Sequence, residues 1–140
     1  MKRSNLLIVI AGFAFVFSSC KKYIQKQEQK AAENIITNGY WYVSGYVQND
    51  SDITASFSGY LFKFDDNNTV TGKKGNVSVG GTWSDNIVAR TITANFPGAG
   101  LPLVNLNETW TIKDSYTDSV SAKSTDTINH TTNILQLKKQ

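Results

Sequence analysis

Asn38 to Val47 reads NGYWYVSGYV, and the fold turns on it. Before it, Lys21 to Thr37 contains neither glycine nor proline and consists largely of good helix formers. From Asn38 onward the chain is rich in Thr, Val, Tyr, Phe, Trp and Ile. Turn residues cluster every eight to twelve positions, the texture of an all-β domain. Strands are expected near Tyr40–Val47, Phe57–Asp65, Thr69–Gly72, Val77–Ser84, Val88–Phe96, Leu106–Asp114, Tyr116–Lys123 and Thr131–Lys138. The turns between them are read at NDSD from Asn49, DDNN from Asp65, KKGN from Lys73, SDN from Ser84 and STD from Ser124. Apart from Pro97–Asn105 these links are hairpin-length, so the expected topology is an up-and-down meander. Eight antiparallel strands need closure or a second sheet to protect their edges. The expected fold is therefore all-β: a small eight-stranded antiparallel barrel behind a short N-terminal helical tether.

Alternation assigns the inner faces. Trp41, Val43, Gly45 and Val47 share one face of the first strand; Val77, Val79, Gly81 and Trp83 line the fourth; Leu106, Glu108, Trp110 and Ile112 line the sixth. Strand glycines such as Gly45, Gly59, Gly80 and Gly81 suit the sharp bends of a small closed barrel. Trp41, Phe62, Phe64, Trp83 and Trp110 are the expected interior, and a lumen of about 300 Å³ or more among them would suit a ligand. Twelve aromatics from Asn38 onward favour a well-filled barrel instead. Arg90 falls between Val88 and Ile92, and Glu108 between Leu106 and Trp110, on apolar faces. The two are expected to lie near each other across an antiparallel pair, either as an ion pair in the wall or as polar contacts for a ligand.

The N-terminus carries a different message. Met1-Lys2-Arg3 is cationic, and Leu6 to Phe17 is a nearly unbroken apolar run of twelve residues. That is short of the ~20 residues a spanning helix needs and fits a secretory signal peptide. The order Phe17-Ser18-Ser19-Cys20 follows, with a polar stretch directly behind it, and Cys20 is the chain's one cysteine. This resembles a bacterial lipobox in a form common in the Bacteroidetes. The resemblance implies diacylglyceryl attachment at the Cys20 sulfur, fatty acylation, and cleavage before it. Residues 1–19 are then a lipoprotein signal peptide, 20–37 a lipidated tether, and 38–140 the barrel domain. Within the tether a short helix is expected from about Tyr23 to Asn34. With one cysteine, no internal disulfide is possible, and stability must come from packing.

Charge agrees with this division. The formal balance is +3 overall, but from Asn38 onward there are eight basic residues against nine acidic. A near-neutral body excludes the clustered basic face that nucleic-acid binding requires. One histidine, His130, no thiol nucleophile beyond Cys20 and no Gly-x-Ser-x-Gly leave little for nucleophilic catalysis. DDNN at Asp65 lacks the glycine and distal glutamate of a calcium loop. No catalytic residue, metal site or cofactor is expected.

NGYWYV, FSGYLFKF from Phe57, GGTW from Gly80, LNETW from Leu106 and ILQLKK from Ile134 together resemble the lipocalin-like lipoprotein domains of Bacteroidetes. The resemblance spans about Asn38 to Lys139. In it, Gly39-x-Trp41 matches the signature whose tryptophan packs across the closed end of the barrel. A Thr-Asp-Tyr motif and the late arginine that covers that tryptophan are missing from this chain. The resemblance implies an outer-membrane lipoprotein, on the periplasmic or the outer face. Its function would be non-catalytic binding of a small hydrophobic or amphipathic molecule. The alternative is a filled barrel used as a structural or protein-interaction module of the envelope.

Overall fold

The computed structural model describes Asn5 to Gln140, with side chains from Lys21 onward. The first four residues and the side chain of Cys20 lie outside the described residues, and so does any test of the lipobox. Helix α1 spans Asn5–Thr37, much longer than the single segment expected from Tyr23 to Asn34. No glycine or proline interrupts it from Phe13 onward. Among the described residues, no helix is long and apolar enough to cross a membrane.

Nine strands follow: β1 (Trp41–Gln48), β2 (Ser51–Asp52), β3 (Leu61–Phe64), β4 (Thr69–Lys74), β5 (Val77–Asn86), β6 (Thr91–Asn95), β7 (Thr109–Ser115), β8 (Ser119–Asp126) and β9 (Thr131–Lys139). All neighbours pair antiparallel, in the order β2-β1-β3-β4-β5-β6-β7-β8-β9, and β1 also pairs with β9. The eight longer strands therefore close into a meander barrel, with β2 a short hairpin arm on β1. Closure runs from Trp41 opposite Lys139 to Gln48 opposite Asn133. Only Trp41 opposite Phe62 joins β1 to β3.

Three expected strands are shorter than the sequence suggested: Val88–Phe96 is reduced to Thr91–Asn95, and two others start late. Thr54–Phe57 and Leu103–Leu106 are single turns of 3-10 helix, so β3 starts at Leu61 and β7 at Thr109. Phe57, Leu103 and Leu106 point inward from these turns and are almost fully buried. They close the barrel end far from α1. Phe57 stacks on Tyr46 with centroids 5.2 Å apart, and Tyr46 meets the edge of Trp110 at 5.8 Å.

The inner face of β1 also needs correcting. Trp41 and Val43 face inward, but the register against β9 shifts between Val43 and Gly45. The extra residue reverses the alternation beyond it, since a one-residue slip moves every later side chain to the other face. Tyr46, with no exposed surface, is the next inward residue, not Gly45 or Val47. Gly81 stays inward as expected, and for a visible reason: a Cβ there would strike the Asn95 carbonyl and the Phe96 ring. Val77, at the end of the same strand, is largely exposed.

The opposite end is closed by α1. Its Ile36 is buried in the barrel mouth, and the Trp41 indole donates to the Ile36 carbonyl at 2.8 Å. The Lys63 ammonium donates to the carbonyl of Thr37. Lys139 stands 5.1 Å over the Trp41 ring, a cation–π contact. A cation thus covers Trp41 although the late arginine is absent.

Candidate functional site

All three tryptophans are buried, and each indole N–H has an acceptor. Trp41 donates to Ile36, Trp83 to the Asp65 carbonyl at 2.9 Å and Trp110 to the Leu106 carbonyl at 3.2 Å. Phe62 and Phe64 are buried with them, and Phe64 meets Trp83 edge-on at 5.8 Å. The space these side chains leave is small. An entirely apolar cavity of about 50 Å³ lies among Ile36, Phe62, Phe64, Phe96, Trp110 and Leu135. That falls well short of the 300 Å³ a lumenal ligand would need, so the interior is filled.

Arg90 and Glu108 do not form the expected pair. Thr93 lies opposite Thr109 and Ile92 opposite Trp110. Glu108 is therefore next to Ala94, whose amide donates to the Glu108 carbonyl, while the Arg90 carbonyl accepts from Ile112. The two charges sit four strand positions apart. Arg90 is also not in a strand. Ile87 to Arg90 forms a turn that the sequence reading placed three residues earlier, and Arg90 closes it at φ +55°. Asn86 opens it by accepting the Ala89 amide at 3.0 Å. Among the described residues the one ion pair is Lys63 with Asp65, at 3.9 Å. Arg90→Ala and Glu108→Ala should therefore act additively on stability, within about 0.5 kcal/mol in a double-mutant cycle. A larger coupling measured by denaturant unfolding would contradict this register.

Each charge instead belongs to a different end. Glu108 is half-buried at the far end, near Tyr46. The Tyr46 hydroxyl donates to the Asn105 carbonyl at 2.7 Å. Burial, then the nearby Glu108 charge, push its pKa up. Arg90 lies at the helix-side mouth, where β5, the Ile87–Arg90 turn and the last turns of α1 enclose a cleft of about 180 Å³. Its apolar walls are Ile35, Ile36, Trp83, Ile87, Ile92 and Ile112, and its polar rim includes Glu33, Asp85 and Arg90. Asp85 has its pKa raised, first by burial and second by the charge of Glu33. Ile36, Ile92, Ile112 and Val120 line both this cleft and the inner cavity. The cleft is thus an extension of the apolar interior toward solvent.

The sequence reading missed Glu33 and Asp85. Their signal was present: Asp85 follows Trp83 by two residues in a strand, and Glu33 precedes Ile36 by three in a helix. Both spacings put the acid on the buried side. It missed a second polar site as well. Ser124 and Asn133 are buried opposite each other on β8 and β9, with the Asn133 amide donating to Ser124 Oγ at 3.3 Å. The Asn133 Oδ1 and, on the β1 bulge, the Ser44 hydroxyl have no protein partner.

His130 is exposed and ends the Thr127–His130 turn at φ +54°. DDNN is a turn, in which Asn67 Oδ1 accepts from the amide and hydroxyl of Thr69. Among the described residues no cluster of three or more His, Cys, Asp or Glu could hold a metal.

No protein-family model and no curated protein matches this sequence. Among solved structures, the chain is similar to a DUF4847 family protein from Bacteroides vulgatus ATCC 8482, with a TM-score of 0.56 and 18% sequence identity. The match covers 78% of this chain and 99% of that one, and at that identity the likeness is one of fold.

Proposed function

We propose that this chain is a non-catalytic lipoprotein of the outer membrane, held by an acylated Cys20, that binds a small hydrophobic or amphipathic molecule at the helix-side mouth of its barrel. The observation that carries this reading is the 180 Å³ cleft, with apolar walls and a charged rim. Small-molecule sites combine those two features: the walls supply affinity and a few polar groups fix orientation. At about 180 Å³, below the ~300 Å³ applied to the lumen, this open cleft suits only a molecule smaller than a lumenal ligand. With the interior filled, the mouth rather than the lumen is the site proposed. Acyl chains on Cys20 account for the membrane attachment, since two chains suffice for lasting anchorage at ~0.8 kcal/mol per buried CH₂.

Native mass spectrometry of the full chain purified from host membranes tests the reading. The expected result is a small-molecule adduct that disappears in Ile87→Trp, which enlarges a wall residue on the turn and fills the cleft. An adduct that survives the substitution places the ligand elsewhere. An unliganded parent chain favours the second reading, a filled barrel serving protein interaction in the envelope. The 50 Å³ interior is the observation on that side.

A further inference from the structure

We propose that the mouth cleft selects a small apolar amine, with its ammonium between Glu33 and Asp85 and its hydrocarbon against Trp83, Ile92 and Ile112. This rests on the cleft being the binding site and adds the charge of its ligand. Size sets the first limit. An apolar cavity of about 150 Å³ accepts benzene, so a cleft of about 180 Å³ suits one ring or a short branched chain with a head group.

Charge sets the second. Two carboxylates converge on the rim, Glu33 from α1 and Asp85 from β5, against one cation, Arg90 from the following turn. Among the described residues neither acid has an ion-pair partner within 4.0 Å. Asp85 is half-buried without a counter-ion, and burial together with Glu33 disfavours its ionised form. The neutral Gln29 amide donates to Glu33 at 3.0 Å, and an ammonium supplies what is missing, a positive charge in a place sheltered from water. A carboxylate ligand would meet both acids and could turn only to Arg90, which is exposed and held in its turn conformation.

Three near-isosteric probes separate the contributions: benzylamine, benzyl alcohol and benzoate. Each is titrated into the full chain in detergent, with the Trp83 indole N–H resonance as readout. Benzylamine should bind about tenfold more tightly than benzyl alcohol, a difference of ~1.4 kcal/mol, and benzoate least well. Asp85→Asn should erase the preference while leaving benzyl alcohol unchanged, and it should fold at least as well because a costly buried charge is removed. Glu33→Gln, at a half-buried position on α1 where the Gln29 amide already donates to the carboxylate, should lower the preference in part. As pH rises through the Asp85 titration, benzylamine affinity should increase, since the acid becomes the anion while the amine stays protonated. Equal binding of benzylamine and benzyl alcohol overturns the charge selection but leaves the cleft as a binding site. Tighter benzoate binding, lost in Arg90→Ala, overturns it in favour of an anion. If none of the three shifts the Trp83 signal, the cleft is not a site and both readings fall.

Discussion

Trp41→Ala should destabilise the barrel by ~3–5 kcal/mol, the cost of removing a large side chain from a core that cannot collapse around the gap. Trp41 has no exposed surface and stands where β1, β3 and β9 meet, opposite both Phe62 and Lys139. Because Trp41 to Phe62 is the one residue pairing between β1 and β3, a cavity there strikes the weakest seam of the closure. The substitution also removes the donor to the Ile36 carbonyl and the ring beneath Lys139. The end of α1 should therefore loosen as the barrel weakens. Trp110→Ala creates a similar void deeper in the core but leaves the Ile36 contact intact. Denaturant unfolding of the two variants should show comparable losses. Hydrogen exchange at Ile36 and Thr37 should rise much more in Trp41→Ala. Trp41→Phe, which keeps most of the bulk and loses the hydrogen bond, should cost ~1 kcal/mol for that bond plus a small packing loss. A change within about 0.5 kcal/mol for Trp41→Ala would be that of a surface residue, incompatible with its place in the closure.

That tryptophan was legible in the sequence because aromatic alternation and a glycine two residues ahead of it both marked the first strand. The closed eight-stranded meander was legible for the same reason, strand after strand. What escaped was every feature decided by one residue of register. Ser44 inserts into β1 and exchanges Tyr46 for Val47 on the inner face, and nothing in SGYV separates a regular strand from a bulged one. The misplaced turns have a clearer lesson. Asn86 and Asp126 were read as lying within their turns, whereas each opens one. Asn86 accepts the Ala89 amide, and Asp126 accepts those of Ile128 and Asn129. The turn then lies after the Asx residue and ends at a left-handed residue, Arg90 or His130. Asn and Asp accept from backbone amides two or three positions ahead, so their presence marks where a turn begins. Moving the Ile87–Arg90 turn by three residues takes Arg90 out of its strand and leaves Asp85 in the wall of the cleft, while the β6–β7 register, with Thr91 opposite Thr111, is what separates Arg90 from Glu108. The candidate site was therefore half legible. Its apolar walls followed from alternation, while its charged rim depended on the position of one turn and on the docking of a helix.

Cys20→Ala should leave an uncleaved, unacylated precursor. The resemblance of Phe17-Ser18-Ser19-Cys20 to a lipobox rests on a thiol that must be alkylated before the signal is removed, and alanine has no nucleophile to offer. The effect is all-or-none at the level of processing, and intact-mass measurement reads it directly: the signal residues remain and the acyl mass is missing. The barrel should be unaffected, because among the described residues of α1 those in or against the core are Ile35 and Ile36, far from Cys20 along the helix. Unfolding of the variant should match the parent, and so should small-molecule binding at the mouth. Spatial separation gives the physical reason. Cys20 precedes Thr37 by seventeen residues in one uninterrupted helix, a distance of about 25 Å at 1.5 Å per residue. A chain anchored at Cys20 would carry its barrel at the far end of that helix, with Glu33 and Ile36 in the last turns beside the mouth. The same helix would then serve as spacer at one end and as a wall of the binding cleft at the other. If Cys20→Ala is instead cut normally and released, Cys20 is no anchor, and α1 is left with its second role alone.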